Sequence, residues 1–578
     1  MSNHQHEPEI YTGRINKDGH EEFTIKMGEA GGPEAHCYIR PRQAIPIVFV
    51  PGIMGSPLIS TAKDSPVKEL DQQWAWFPDS LLWVVGRPGT KEIIMASLSI
   101  NPIWLFIGSK WSGFASLSPA DKGRMLRVET THVPRPNEAD LSALSTDGLR
   151  IGIEEATRRG WGSVLLGDNG YGKILSYLEN TLNGVYDTEY VTKRWESITK
   201  DIADIIYGRN MKDVVSHEEL GKPKIGIEDA KHLGKWSYPV YACGYNWLDS
   251  NDNSAAMLGK KINEVLNDCR SRLGLSCEKV ILVTHSMGGL VGRMCAKKYS
   301  DKIMGVVHGV QPVNGAAAAY HRVVAGWDGA TGMVLGEHAE DLTPIFSNPG
   351  PLQLLPNKQY GQHWFKVNKV ASKYSRTSLE PILSLPQSNP YQEIYSNITA
   401  WWRIVDPNMV MPEVSSERAG KTFYQDNLAL AEAFHDEIAN YFHPETYVHY
   451  GKSSAYKTWY GIDINVTVGA YNHIGQYDYT DQDILNGSLS GHYTYWFNDA
   501  HLSINNGRGG TAKLGPFNDA GDGTVPASSM GLKGAGKVQA ITEIDNVEHS
   551  GSYNHEVSHL MTLYGICNIV KKGAVDAG

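Results

Sequence analysis

The chain has 578 residues, of which 41% are hydrophobic and 20% are charged. This composition is typical of folded globular proteins and excludes wholesale disorder. The 53 basic and 63 acidic side chains leave a formal net charge of −10, which argues against a general nucleic-acid-binding protein. Six cysteines are too few for a disulfide scaffold, so we expect buried or incidental thiols.

The first residues of the chain have neither the basic region nor the apolar region of a Sec signal peptide. No apolar run reaches the roughly 18–20 residues that a membrane-spanning helix requires. We therefore expect a protein that is made in the cytoplasm and that needs another export machine if it acts outside its own cell.

Short β-branched runs recur along the chain and predict the buried strands of a mostly parallel sheet. These runs lie at 45–50, 238–247, 279–284, 304–310, 464–468 and 538–544. Helical patterns lie between and after them, at 171–182, 255–273, 290–299 and 556–570. Strands that alternate with helices over short connections predict right-handed β-α-β units and an α/β fold.

Two stretches, 57–235 and 316–460, are too long to connect neighbouring strands, and we interpret them as cap or lid insertions. The predicted organisation is an N-terminal segment with the first core strands at 1–56, a first cap at 57–235, core at 236–315, a second cap at 316–460 and core again at 461–578. Several tryptophans of the first cap either pack it onto the core or line a lipid-facing lid or tunnel. They are Trp74, Trp76, Trp83, Trp104 and Trp111.

A candidate nucleophile lies in the segment Ile-Leu-Val-Thr-His-Ser-Met-Gly-Gly-Leu at 281–290. A β-branched strand leads directly into Ser286 and then into a helix, which is the setting of a nucleophile elbow. Such a turn needs small residues two positions before and two positions after the serine. Gly288 satisfies the second requirement, whereas Thr284 departs from the first.

Backbone N–H groups near this serine are candidates for an oxyanion hole. The Met287 N–H lies at the start of the predicted helix, where the helix dipole favours a developing negative charge. A second donor is expected from Ile53 or Met54, in the turn that follows the first strand.

A serine nucleophile needs a base, and the base needs an orienting carboxylate. In this fold the expected chain order is serine, acid, histidine. Asp522 lies in the Gly-rich segment Gly-Asp-Gly-Thr-Val-Pro at 521–526 and is the candidate acid. Three histidines follow the last predicted strand. We favour His549, in the loop directly after that strand, over His555 and His559, which we place on the terminal helix.

Metal binding is the competing interpretation of this region. His555, Glu556 and His559 match the H-E-x-x-H pattern of zinc metalloproteases, but only 19 residues follow it, and the sole acid among them is Asp576. Asp519 and Asp522 are weak candidates for a calcium site. We therefore predict no cofactor.

Five motifs together resemble a known family of α/β-hydrolase lipases. They are VPGIMGS at 50–56, YNW at 245–247, THSMGG at 284–289, QPVNGA at 311–316 and GDGTVP at 521–526. They are similar to motifs of lipases related to GPI inositol-deacylases and lecithin:cholesterol acyltransferases. The closer resemblance is to antibacterial lipase effectors of bacterial type VI secretion systems, in particular to their fourth family.

This resemblance implies an α/β-hydrolase fold with a capped site and hydrolysis of phospholipid acyl esters. It places nucleophile, acid and base on Ser286, Asp522 and His549. It also implies secretion by a type VI system on a spike-protein carrier, action at target-cell membranes from the periplasmic side, and a cognate immunity protein. Alternative functions are another lipid esterase, such as a GPI deacylase or neutral lipase, an acyltransferase, or a non-catalytic binding scaffold.

Overall fold

A computed structural model describes most of the chain. The described residues are 9–12, 14–15, 21–22, 35–38, 40–61, 74–79, 114–168, 170–184, 191–209, 212–221, 224–327, 334–373, 376–468, 479–491, 493, 499–504 and 508–575.

The strands are numbered here in chain order. They are β1 Glu9–Thr12, β2 Arg14–Ile15, β3 Glu21–Glu22, β4 Ala35–Tyr38, β5 Ile47–Val50, β6 Leu58–Ser60, β7 Trp74–Trp76, β8 Thr131–His132, β9 Val214–Glu219, β10 Val240–Ala242, β11 Val280–His285, β12 Ile303–Gly309, β13 Phe365–Lys373, β14 Arg376–Leu385, β15 Thr446–Gly451, β16 Ser453–Thr458, β17 Ile462–Val468, β18 Ser488–Ser490, β19 Asp499–Ile504, β20 Arg508–Leu514, β21 Asp519–Gly521 and β22 Ala540–Ile544.

The α-helices are numbered in the same way. They are α1 Pro119–Met125, α2 Ile153–Arg158, α3 Gly172–Leu182, α4 Glu196–Ile206, α5 Ile227–Leu233, α6 Asn251–Ser271, α7 Gly288–Lys298, α8 Ala317–Ala325, α9 Ala339–Phe346, α10 Pro349–Leu352, α11 Pro407–Val410, α12 Glu417–Ile438, α13 Asp481–Leu485 and α14 Glu556–Val575. Within the described part of the chain, none of the helices combines the length and apolar character needed to cross a membrane.

The centre of the molecule is a seven-stranded sheet in the order β10–β5–β11–β12–β15–β22–β9. Its strand pairs are parallel, except that β9 runs antiparallel to β22 at one edge. Strand β11 is buried along its whole length, because helices cover both faces of the sheet. The predicted α/β-hydrolase fold is therefore confirmed.

Helices pack closely against this sheet. α6 and α7 contact each other, and the terminal helix α14 contacts β12. The approach of α14 is close, since a Cβ on Gly305 would lie 2.6 Å from the Ile569 side chain. The helices predicted at 171–182, 255–273, 290–299 and 556–570 correspond to α3, α6, α7 and α14.

One predicted core strand is wrong. The segment 464–468 lies in β17, which belongs to a second sheet in the order β14–β13–β17–β20–β19–β18. Its burial alternates along the strand, as expected when only one face is covered. The corresponding position in the central sheet is occupied by β15, whose sequence Thr-Tyr-Val-His-Tyr-Gly is fully buried. Because its threonine, tyrosine and histidine side chains carry polar atoms, a search for apolar runs does not detect this strand.

The predicted cap boundaries also need correction where core strands lie inside the insertions. β9 falls within 57–235 and β15 within 316–460, yet both pair in the central sheet. β9 has the half-polar sequence Val-Val-Ser-His-Glu-Glu, which an edge strand tolerates because one side faces away from the core. The predicted strand at 238–247 is also shorter, since only Val240–Ala242 pairs.

Cysteine burial agrees with the sequence prediction for the described residues. Five thiols are buried and form no disulfide. Burial raises the pKa of the Cys243 and Cys567 thiols to about 12, so both remain protonated and unreactive near neutral pH. Cys37 lies where no side chain is described.

Candidate active site

Ser286 lies on a strained turn between β11 and α7. Its φ is +52°, a conformation that side chains other than glycine rarely adopt. The strand ends at His285 and the helix begins at Gly288, so the serine projects from the carboxyl edge of the sheet. A Cβ on Gly288 would lie 2.2 Å from the Pro51 carbonyl oxygen, which explains why this position requires glycine.

Thr284, two residues before the serine, departs from the usual elbow sequence, and the structure shows how it fits. Its Oγ1 lies 2.7 Å from Nδ1 of the buried His308 on the adjacent strand β12. Its Cγ2 faces Gly292 of α7, where an added Cβ would approach to 2.8 Å. The small residue needed between strand and helix is therefore supplied by the helix.

Ser286, His549 and Asp522 form a continuous chain of hydrogen bonds. Ser286 Oγ lies 2.8 Å from Nε2 of His549, and Nδ1 of His549 lies 2.7 Å from Oδ2 of Asp522. The carboxylate oxygen accepts the Nδ1 proton, which leaves Nε2 as the acceptor for the serine hydroxyl. All three residues are buried, with exposed fractions of 4% for Ser286, 8% for His549 and 1% for Asp522. This is the geometry that activates a serine.

Asp522 is held in place by its own loop. Its Oδ1 accepts hydrogen bonds from the Thr524 and Val525 N–H groups, at 3.0 and 2.7 Å. Its carbonyl oxygen accepts the His549 N–H at 2.9 Å. Both carboxylate oxygens therefore have protein partners, and the acid and base residues are joined through the backbone as well as through their side chains.

The other two candidate bases lie elsewhere. Nε2 of His559 lies 2.6 Å from the Tyr553 carbonyl oxygen, and its ring stacks on Tyr177 at 4.4 Å. His555 precedes α14, with Nε2 3.9 Å from Oδ2 of Asp213.

In the parts of the chain that are described, no group of three metal-ligating side chains is assembled. Asp519 accepts the Ser528 N–H at 3.0 Å.

The predicted oxyanion donors surround the elbow. Met287 lies at the amino end of α7, and Ile53 and Met54 lie in the turn after β5. That turn is anchored from the first insertion, because Nε1 of Trp76 donates to the Met54 carbonyl oxygen at 2.7 Å. That these N–H groups stabilise an oxyanion stays a prediction.

The region around the triad also contains two buried residues that sequence reasoning did not assign to the site, His285 and Tyr171. The Tyr171 hydroxyl lies 3.0 Å from Nδ1 of His285, and Nε2 of His285 lies 2.9 Å from the His549 carbonyl oxygen. His285 immediately precedes the candidate nucleophile Ser286, and this position was the available sequence signal. Tyr171 is 115 positions earlier than Ser286 in the chain, so no local pattern could connect it.

A cavity of about 800 Å³ opens onto the triad, and Ser286 and His549 form part of its wall. This volume is typical of a site for a small organic ligand. Much of the wall is apolar. Its apolar residues include Ile53, Met54, Trp76, Leu165, Ala316, Ala319, Trp327, Val334, Phe346, Leu354, Trp459 and Phe517. Residues from both predicted insertions therefore cover the site.

The tryptophans of the first insertion had two competing interpretations, and Trp76 shows features of both. It is buried against Trp247, with ring centroids 5.8 Å apart, and it also lines the cavity. Trp74 is buried and stacks on Phe77. Trp83, Trp104 and Trp111 lie outside the described residues.

Comparison with known proteins supports the fold. No family model matches the chain, and no curated protein matches it. Among solved structures, Tle4 in the crystal structure of the Tle4–Tli4 complex is 25% identical, with 91% of this chain and 99% of that chain covered and a TM-score of 0.66. The chain is similar to Tle4 over nearly its whole length. This similarity confirms the resemblance to the fourth family of type VI lipase effectors.

The similarity of this chain to a second solved structure is much weaker. Phospholipase PlaB from Legionella pneumophila is 10% identical, with 50% of this chain and 72% of that chain covered and a TM-score of 0.13.

Proposed function

We propose that the protein is a serine carboxylic-ester hydrolase of the phospholipase A type, which cleaves acyl esters of glycerophospholipids. The observation that carries this proposal is the hydrogen-bonded chain Ser286–His549–Asp522 beside a cavity with a largely apolar wall. The similarity to Tle4 supports a lipid substrate.

In the proposed mechanism, Oγ of Ser286 attacks the acyl carbonyl carbon while Nε2 of His549 accepts the hydroxyl proton. Asp522 keeps the imidazole in the required tautomer and stabilises its cationic form. The tetrahedral oxyanion is stabilised by the N–H of Met287 and by that of Ile53 or Met54.

His549 then protonates the departing lysophospholipid oxygen, which leaves an acyl group on the serine. In the second half of the reaction His549 removes a proton from water, which attacks the acyl carbonyl carbon, and His549 returns that proton to Oγ of Ser286 as the fatty acid leaves. Each proton transfer uses side chains of this chain, so we propose no cofactor.

We also propose a biological setting from the similarity to Tle4. The protein is secreted by a type VI system on a spike-protein carrier and acts on phospholipids of target-cell membranes, from the periplasmic side. Because Tle4 was crystallised with Tli4, we propose a cognate immunity protein that protects the producing cell.

The test compares wild type with Ser286→Ala on mixed phospholipid vesicles. A matched control is Ser271→Ala, since Ser271 is exposed at the end of α6 and its hydroxyl bonds only locally to the Asn267 carbonyl oxygen. Detergent is included at low concentration, and mass spectrometry measures released fatty acid and lysophospholipid.

We expect wild type and Ser271→Ala to release both products at equal rates, and Ser286→Ala to lose at least about 10⁴-fold in kcat. The lysophospholipid isomer identifies the ester position that is cleaved. Transfer of the acyl group to a lipid alcohol instead of water would identify an acyltransferase. No product from wild type, and no labelling of Ser286 by a fluorophosphonate, would support a binding scaffold instead.

A further inference from the structure

A second chain of hydrogen bonds crosses the site behind the nucleophile. The Gly52 N–H donates to the Tyr171 hydroxyl oxygen at 3.1 Å, and that hydroxyl lies 3.0 Å from Nδ1 of His285. Nε2 of His285 lies 2.9 Å from the carbonyl oxygen of His549. The chain therefore joins the turn that holds Ile53 to the loop that holds the base.

The direction of each bond in this chain follows from simple chemistry. The carbonyl oxygen of His549 can only accept, so Nε2 of His285 carries the proton. His285 is 4% exposed, and burial lowers its pKa to about 3, so the ring is neutral and Nδ1 is an acceptor. The Tyr171 hydroxyl consequently donates to Nδ1, while its oxygen accepts the Gly52 N–H.

Each end of this chain is next to a group of the proposed reaction. Gly52 directly precedes Ile53, a candidate oxyanion donor. At the other end, His549 is held through its own backbone on both sides, since its N–H donates to the Asp522 carbonyl oxygen and its C=O accepts from His285. A shift of His285 would therefore move the base relative to Ser286.

We infer that His285 and Tyr171 are positioning residues that fix the loop carrying His549 relative to the turn carrying Ile53, on the two sides of Ser286. This inference rests on the proposed serine-hydrolase function. Neither residue takes part in a proton transfer of the reaction. His285 holds the backbone of His549, and Tyr171 links His285 to Gly52. Both residues also form part of the cavity wall, so substitutions that keep an aromatic ring in place should slow the attack by Ser286 without weakening substrate binding.

The test measures the rate constant for fluorophosphonate labelling of Ser286, together with kcat and KM on a short-chain soluble ester. His285→Phe removes both hydrogen bonds of the imidazole ring, to Tyr171 and to the His549 carbonyl oxygen. His285→Gln keeps a donor that can reach the His549 carbonyl oxygen. Tyr171→Phe removes only the hydroxyl and leaves the ring on Phe49, at a centroid distance of 4.8 Å.

The chain offers a closely matched control at His435. This histidine is also buried, with Nε2 2.8 Å from the Gln353 carbonyl oxygen and Nδ1 3.3 Å from Nδ2 of Asn357. Burial lowers its pKa to about 4. It does not line the cavity. His435→Phe therefore reports the loss of stability that follows from removing a buried histidine with two hydrogen bonds.

We expect His285→Phe to lower kcat and the labelling rate constant by about 10²-fold, with KM within twofold of wild type. His285→Gln should recover most of that loss, and Tyr171→Phe should lose about tenfold. His435→Phe should show a comparable fall in Tm with kcat unchanged. If His285→Phe does not fold, Tyr171→Phe still decides the question.

Two results would overturn the inference. One is a kcat within threefold of wild type for His285→Phe or Tyr171→Phe. The other is an equal loss of kcat in His435→Phe, which would assign the effect to general destabilisation. Failure of the proposed function would look different, because it would already appear in the wild-type protein. Wild type would be labelled at Ser286 without cleaving vesicle lipids or, as a binding scaffold, would not be labelled at all.

Discussion

Asp522→Asn offers a sharp test of the triad, because the surrounding loop dictates how the new amide must orient. Oδ1 of Asp522 accepts two N–H groups, from Thr524 at 3.0 Å and from Val525 at 2.7 Å. In the variant only the amide oxygen can fill that position. The amide NH₂ group is then directed at Nδ1 of His549, where Oδ2 now lies at 2.7 Å.

The consequence is a change of tautomer in His549. Nδ1 must accept the amide proton, so the ring proton moves to Nε2. Nε2 then faces Ser286 Oγ, 2.8 Å away, as a donor and cannot remove the serine proton. Loss of the correct tautomer in a serine triad lowers kcat by about 10⁴-fold, while the backbone geometry is retained.

The assay measures kcat on a soluble short-chain ester and the rate of fluorophosphonate labelling, with Tm as a check on folding. Asp519→Asn is the matched control, since it makes the same chemical change three residues earlier, in β21, and its amide oxygen can still accept the Ser528 N–H. We expect the control to retain wild-type rates. An Asp522→Asn variant that keeps kcat within tenfold of wild type would refute the assignment of the acid.

Two further predictions concern stability. Gly292→Ala places a methyl group 2.8 Å from Cγ2 of Thr284, so we expect the free energy of unfolding in urea to fall by about 1–3 kcal/mol. Adding Thr284→Ser to the same chain removes Cγ2 and should largely restore that free energy. Additive losses in the double variant would contradict this packing. Burial lowers the pKa of several histidines to about 3 to 4 in the folded protein, whereas in the unfolded chain it is near 6.5. Between these values the unfolded chain binds more protons than the folded protein. The free energy of unfolding should therefore fall as pH decreases from about 6.5 to 4, by about 1.4 kcal/mol per pH unit for each histidine. They are His285, His321, His435 and His449. A free energy of unfolding that is constant over this range would contradict the burial of neutral histidines.

The local sequence predicted the parts of the fold that depend on neighbouring residues. β11 and α7 are adjacent in the chain, and their β-branched and glycine residues specify a strand, a tight turn and a helix without help from distant segments. The order of serine, acid and histidine likewise follows from the connectivity of the sheet. Strand β15 was missed because its tyrosines and histidine have partners, such as Glu543 for Tyr450, that only the folded sheet provides.

The sequence by itself therefore determined the elbow at Ser286, the class of fold and a short set of acids and bases. The sequence favoured His549 from its place in the loop after the last strand, and the tertiary structure decided the choice by bringing its Nε2 to 2.8 Å from Ser286 Oγ while His555 and His559 lie elsewhere. It also brought Tyr171 to His285, 114 positions later in the chain. Contacts between residues more than a hundred positions apart depend on the packing of whole elements, and local propensity cannot encode them.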